Sequence, residues 1–278
     1  MAALAFPNID PVLVRIGPLQ VHWYGLAYVV GFVGAGLTLR WCARRWEIDL
    51  SDDDIIGLVL AAVIGVIIGS RVGYVIVYGG SQYWRNPLEI LAVWDGGMSF
   101  HGGLVGILVA CAIMARRRHL SFLTLADLGA VGAPIGFFFG RITNFVNGEL
   151  WGRETAVPWA VVFPGAGPLG RHPSQLYEAV LEGLVLFTVL VVLARRRRPE
   201  GMIFGIFLLL YGVFRFSVEF VRQPDPQLGF IAAWFTMGQL LSIPLVIIGW
   251  KKHPVDKGPS ARLEAVIGPT AGRLELRF

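Results

Sequence analysis

Seven long apolar runs, with a basic cluster closing every second one, leave this chain few ways to fold. The runs cover residues 23–41, 55–78, 100–115, 123–139, 176–194, 202–220 and 230–250. About 20 apolar residues are enough for a helix to cross a bilayer. Lipid offers no partner to a backbone N–H or C=O, so a run that crosses it must satisfy its own backbone as a helix. The expected fold is an all-α polytopic membrane protein of about seven transmembrane helices. The chain is 55% hydrophobic and only 15% charged, whereas a soluble domain carries about a quarter charged residues. Its 35 glycines suit helices that pack closely within a membrane.

The basic clusters set the orientation. Arg44-Arg45 follows the first run, Arg116-Arg117-Arg118 the third, Arg195-Arg196-Arg197-Arg198 the fifth and Lys251-Lys252 the seventh. Cytoplasmic loops are enriched in Lys and Arg, which puts all four inside, the N-terminus outside and the C-terminus in the cytoplasm. The net charge of +5 is therefore a topology signal, and no nucleic-acid partner is expected. Residues 1–250 read as a single membrane domain. Within it an insertion at about 144–175, broken by Pro158, Pro164, Pro168 and Pro173, forms a small head on the outer face. Residues 251–278 form a polar cytoplasmic tail. Cys42 and Cys111 make neither a disulfide framework nor a metal-ligand pattern. Pro7, Asn8, Asp10 and Pro11 interrupt any apolar start, so no cleavable leader is expected.

Polar side chains within or beside lipid are costly and usually have a task. Gly140-Arg141-Ile142-Thr143-Asn144-Phe145-Val146-Asn147-Gly148-Glu149-Leu150-Trp151-Gly152 follows directly on the fourth run. Arg141 and Asn144, three apart, share a helical face. The arginine fork of donors suits phosphate. A simple interfacial anchor would snorkel without amide or carboxylate partners, so Arg141, Asn144, Asn147 and Glu149 read as an anion site. Tyr211, Arg215 and Glu219 recur every four residues and share a face. Arg215 offers a second cation to the same anion; Glu219 is either a functional partner or half of a structural ion pair. His101, after Asp95-Gly96-Gly97-Met98-Ser99-Phe100, is a base, a headgroup ligand or a packing ring. Asp95 is as readily a helix cap. In His22-Trp23-Tyr24-Gly25, Trp23 is a belt residue and Tyr24 is placed to donate inward. Arg71 and Tyr74 lie a turn apart in the second run, with function and interhelical bonding equally open. His172, Gln175 and Glu178, after Pro173, line the head or, more simply, cap a helix. Asp127 and Pro134 position the fourth helix.

Taken in order, these segments resemble the prolipoprotein diacylglyceryl transferase family. The match rests on His22-Trp23-Tyr24-Gly25, Asp95 to Gly103, Gly140-Arg141 through Gly152-Arg153, His172 to Glu178, and Tyr211-Gly212 through Arg215-Phe216 to Glu219. It extends from about residue 22 to 250. Thr143 stands where relatives often carry glycine, and the tail beyond Trp250 is an extension. The resemblance implies a multi-pass enzyme of the bacterial inner membrane, with a periplasmic head and a site toward the outer leaflet. It implies transfer of the diacylglyceryl group of phosphatidylglycerol to the lipobox cysteine thiol of a prolipoprotein signal peptide. A thioether forms and glycerol 1-phosphate leaves, the first step of lipoprotein maturation. The nucleophilic sulfur is the substrate's, so no catalytic cysteine is expected here, and no metal or soluble cofactor is implied.

The roles that follow from the resemblance are these. Arg141 and Arg215 hold the phosphate and the charge that grows on it. His101 is the base or orienting group, and Glu219 serves as base or fixes Arg215. Tyr24, Asn144 and Glu149 hold the headgroup, with Gly152 permitting a turn. The lipid enters sideways between helices, with other membrane lipids around it. A transporter or flippase would instead place polar groups at mid-membrane in interrupted, internally symmetric helices. A scaffold would not need paired arginines. Here the polar groups gather toward the outer ends and no internal repeat is visible.

Overall fold

A computed structural model describes residues 3–224, apart from 8, 18 and 81, together with residues 235–252. The expected tail at 253–278 and the start of the seventh run at 230–234 lie outside the described residues. The elements in order are β1 (Leu4–Ala5), β2 (Val12–Ile16), β3 (Leu19–His22), α1 (Trp23–Arg45), α2 (Asp52–Tyr78), α3 (Gln82–Arg85), two 3₁₀ turns (Pro87–Leu91 and Val93–Asp95), α4 (Phe100–Arg117) and α5 (Phe122–Val146). There follow β4 (Val161–Val162), α6 (Ser174–Glu178), a π turn (Ala179–Val185), α7 (Leu186–Ala194), α8 (Met202–Val218) and α9 (Met237–Lys252). Five helices are long and apolar enough to cross a membrane: α1, α2, α4, α5 and the continuous Ser174–Ala194 helix made by α6, the π turn and α7. Two shorter apolar helices, α8 and α9, accompany them. The chain is a polytopic helical membrane protein.

Local chemistry sets the helix starts. Ser51 and Asp54 form a reciprocal capping box at α2. The Ser99 and Ser121 hydroxyls accept the free N–H groups that open α4 and α5. Arg45 and Arg117 close α1 and α4, where cations meet the negative helix end. Arg118 reaches across to Asp54 at 2.6 Å and ties two of these ends together. Asp127 accepts the N–H groups of Gly201 and Phe204, both at 2.7 Å. It thus positions the start of α8 rather than its own helix α5.

α5 packs against α1, α4, the α6–α7 helix and α8, and so occupies the middle of the bundle. Its Leu128 and Val131 are completely buried, with Leu186, Leu190 and Ile203 beside them. Outer faces are apolar as well: Ile64 and Ile68 of α2 and Val105 and Val109 of α4 stand exposed, as lipid-facing residues should. α2 and α4 meet backbone to backbone. A Cβ added at Gly69 would lie 2.7 Å from the Gly106 Cα. Gly106→Val is therefore expected to force this pair apart. It should lower the melting temperature in detergent by an amount equivalent to about 1–3 kcal/mol or more.

The expectation of an all-α chain needs correction. β2 and β3 form an antiparallel hairpin, with Val14 opposite Val21 and Ile16 opposite Leu19, and Gly17 at φ +59° in the turn. β1 pairs in parallel with β4. These strands are two to five residues long and lie outside the apolar runs, so the signal that revealed the helices did not reach them. Arg71 also resolves. It is buried, and its guanidinium donates to the carbonyls of Ile90 (2.9 Å) and Gly96 (2.6 Å). It clamps the link carrying the two 3₁₀ turns.

Candidate active site

The start of α1, the ends of α5 and α8, and the short helix α6 bring polar side chains to one end of the bundle. Glu178 lies at the junction. It is the last residue of α6 and its side chain is completely buried. Its Oε2 lies 2.5 Å from Arg141 Nε and 3.2 Å from Arg215 Nη1. Its Oε1 lies 2.9 Å from Arg222 Nη1. One carboxylate thus gathers three guanidinium groups from two helices and the segment after α8.

Two further carboxylates complete the cluster. Glu219 pairs with Arg215 one turn earlier, lies 3.7 Å from Arg222 Nε, and accepts the Thr236 hydroxyl at 2.6 Å. Glu182, in the π turn, stands 4.0 Å from Arg215 Nη1. The Arg215 side chain is 16% exposed and that of Arg141 21%, so both cations are mostly buried yet partly accessible. The buried atoms Arg215 Nη1, Glu178 Oε2 and Glu182 Oε1 are within ion-pair reach yet make no hydrogen bond of good geometry. Buried polar atoms without hydrogen bonds are rare and mark strained or functional sites.

A second network sits beside the first. The Tyr24 hydroxyl donates to Glu149 Oε1 at 2.6 Å, and Asn144 Nδ2 donates to the same oxygen at 2.9 Å and to the Tyr24 oxygen. Arg141 Nη1 donates to Asn144 Oδ1 at 3.4 Å, which joins the two networks. Gln175, expected to cap or line the head, donates to the Glu149 carbonyl at 2.5 Å and fixes the motif's backbone. The turn after α5 is made by Gly148 at φ +65° and Leu150 at φ +58°. Gly152 has a different role from the turn expected of it. Its N–H donates to the His172 carbonyl at 2.8 Å, and a Cβ there would lie 2.7 Å from the His172 Cβ. Absence of a side chain lets the segment after α5 close against the one carrying Arg222, with which Gly152 forms an isolated β-bridge. His172 packs edge-on against Tyr177, and burial pushes its imidazole below the ordinary histidine value, toward the neutral form.

Most residues singled out in the sequence therefore meet: Tyr24, Arg141, Asn144, Glu149, Gly152, Arg215 and Glu219. Glu219 is held as an ion-pair partner of Arg215. His101 is not brought into the cluster. It is exposed at the start of α4, edge-on to Phe100, and lines a groove of about 720 Å³ between α2 and α4. Among the described residues no hydrogen bond or ion pair of the cluster involves it. Glu178 was left between lining the head and, more simply, capping a helix, and its place in the ion cluster was not foreseen; Glu182 and Arg222 were not singled out. The signal was present, because Glu178 and Glu182 are four apart at the head of a strongly apolar run. A carboxylate there is a functional candidate on the same grounds as Arg71.

A family model for prolipoprotein diacylglyceryl transferase matches residues 11–251. The chain belongs to the prolipoprotein diacylglyceryl transferase family. The match takes in every residue of both networks. A phosphatidylglycerol–prolipoprotein diacylglyceryl transferase of Geobacter sulfurreducens is 51% identical over 246 residues, covering 88% of this chain and 95% of its own. The protein of that name from Chromohalobacter salexigens is 54% identical over 271 residues, or 94% of this chain and 99% of its own. That from Rhodospirillum rubrum is 53% identical over 252 residues, 89% and 92% of the two chains. Membership of this diacylglyceryl transferase family makes the chain a transferase.

Proposed function

We propose that this protein transfers the diacylglyceryl group of phosphatidylglycerol to the lipobox cysteine of a prolipoprotein, at the outer leaflet of the bacterial inner membrane. The names of its relatives supply the two substrates. The observation that carries the site assignment is the convergence of Arg141 Nε and Arg215 Nη1 on one anionic oxygen, at 2.5 and 3.2 Å. Two guanidinium groups that can share a carboxylate oxygen can share a phosphate.

In the reaction the substrate sulfur attacks the glyceryl carbon, the carbon–oxygen bond breaks, and negative charge grows on the departing phosphate. Donors fixed at that charge lower the barrier, and each is typically worth about a hundredfold or more in rate. Arg141 and Arg215 take that role, with Glu178 and Glu219 holding them at the right separation. Tyr24, Asn144 and Glu149 offer a hydroxyl, an amide and a carboxylate to the polar headgroup. The substrate thiol, with a pKa of about 8.5 when free, must lose its proton to become a nucleophile. His101 takes that proton. The link of residues 118–121 makes α4 and α5 antiparallel, so His101 and Arg141 open and close their helices at the same end of the bundle. Seven membrane crossings, with the head at about 144–175 in the periplasm and the 251–278 tail in the cytoplasm, follow from the alternation of the basic clusters. The lipid reaches the site laterally.

Incubation of the purified protein with acyl-labelled phosphatidylglycerol and a lipobox peptide tests this. Label should pass to the peptide as a thioether and glycerol 1-phosphate should appear in equal amount. Lipid redistribution across vesicles without peptide labelling would favour a flippase instead. For His101→Gln, the acid limb of the pH–rate profile should flatten, and an unchanged profile would remove His101 from the base role.

A further inference from the structure

One carboxylate of the cluster, Glu182, is held more loosely by the arginines than the other two. Three guanidinium groups (Arg141, Arg215, Arg222) face three carboxylates (Glu178, Glu182, Glu219). A lipid phosphate brings one more negative charge into this buried space. Arg153 flanks the cluster, its guanidinium donating to the backbone carbonyls of Glu219 and Arg222. Burying a further anion here is costly, which favours a proton on the most loosely held carboxylate. Glu178 touches three arginines, and Glu219 touches two and the Thr236 hydroxyl. Glu182 has the longest ion pair of the set, 4.0 Å to Arg215, its side chain is 1% exposed, and its Oε1 accepts no hydrogen bond. It also lies in the π turn, where the Ser174–Ala194 helix departs from regular α geometry; such turns recur at functional sites. The titratable and charged groups facing it are Glu178 on its own helix, Arg141 of α5, Arg215 and Tyr211 of α8, and Arg222 beyond α8.

We propose that Glu182 is a general acid of this transferase: it enters the lipid-bound state protonated and gives its proton to the departing phosphate. This rests on the reading that Arg141 and Arg215 hold that phosphate. As the sulfur–carbon bond forms and the carbon–oxygen bond breaks, the electron pair leaves on the phosphate oxygen. The Glu182 proton moves to the phosphate, and glycerol 1-phosphate departs as a monoanion. The proton released by the substrate thiol to its base is passed to solvent, and solvent returns one to Glu182. Net, one proton travels from sulfur to phosphate and no other reactant is needed.

The test is Glu182→Gln, which keeps the shape but holds no transferable proton, beside Glu182→Asp, which keeps an acid. Purified proteins are assayed with phosphatidylglycerol and a lipobox peptide across pH, and retention of the lipid is measured by native mass spectrometry. For Gln, kcat should fall about a hundredfold or more, lipid retention and KM should hold, and the alkaline limb of the kcat profile should disappear. Asp should recover part of the rate and bring the limb back. Near-normal kcat in the Gln variant, an unchanged alkaline limb, or lipid retention lost in step with kcat would each overturn the proposal. Failure of the phosphate reading would appear separately, as full lipid retention and turnover by Arg141→Ala.

Discussion

Arg141→Ala is expected to lower the rate of thioether formation by about a hundredfold or more while the protein still inserts and folds. A donor aimed at the departing phosphate is removed, and such a loss typically costs that much. Arg141 is the more exposed of the two cations, at 21%, and its loss leaves Glu178 still paired with Arg215 and Arg222. Arg215→Ala should abolish turnover as well, but with a larger loss of stability. Arg215 lies within ion-pair distance of all three carboxylates, Glu178, Glu182 and Glu219. Removing one partner from a buried ion pair typically costs about 3–5 kcal/mol, because the remaining charge stays buried. Kinetics on purified variants, with melting curves beside them, separate the two effects. Near-normal turnover by either variant would take that arginine out of the phosphate-stabilising role. Lysine at either position should restore little, because a point charge does not reproduce a planar fork of donors.

Glu178→Ala is the second large effect. Its carboxylate is shared by all three arginines of the cluster. Without it, three guanidinium groups face only Glu182 and Glu219 in a largely dry space. The expected outcome is a loss of about 3–5 kcal/mol in stability together with loss of turnover, since the two guanidinium groups no longer converge. Glu178→Gln keeps the volume and one acceptor oxygen, so it should melt above the alanine variant while remaining poorly active. Equal melting of the two variants, or wild-type turnover by either, would show that Glu178 does not set the spacing of the arginines.

How much of this was legible in the sequence depended on which physical signal each part carries. Helices were legible because lipid enforces a long apolar run, so the residues from Trp23, Phe100 and Met202 onward announced α1, α4 and α8 directly. The Arg141–Arg215 pair was legible because polar groups beside lipid stand out against their background, whereas the grouping of Tyr24 with Asn144 and Glu149 came from the family resemblance. The short strands were not, because two to five residues near the N-terminus or inside the head leave no periodic trace. Glu178 was visible, but its three-residue spacing from Gln175 left it between lining the head and capping a helix, and nothing local shows that Arg222, 44 positions away, will reach it. His101 is the reverse case. Its motif is conspicuous, yet the fold leaves it on the α2–α4 groove, apart from the ion cluster.

The most direct measurement is the position of the phosphate in a structure determined with phosphatidylglycerol bound. The account predicts phosphate oxygens within charge-assisted hydrogen-bond distance, about 2.7–2.9 Å, of both Arg141 and Arg215, with the glyceryl carbon open to an incoming sulfur. A headgroup held by only one of them, or seated in the groove between α2 and α4, would contradict it.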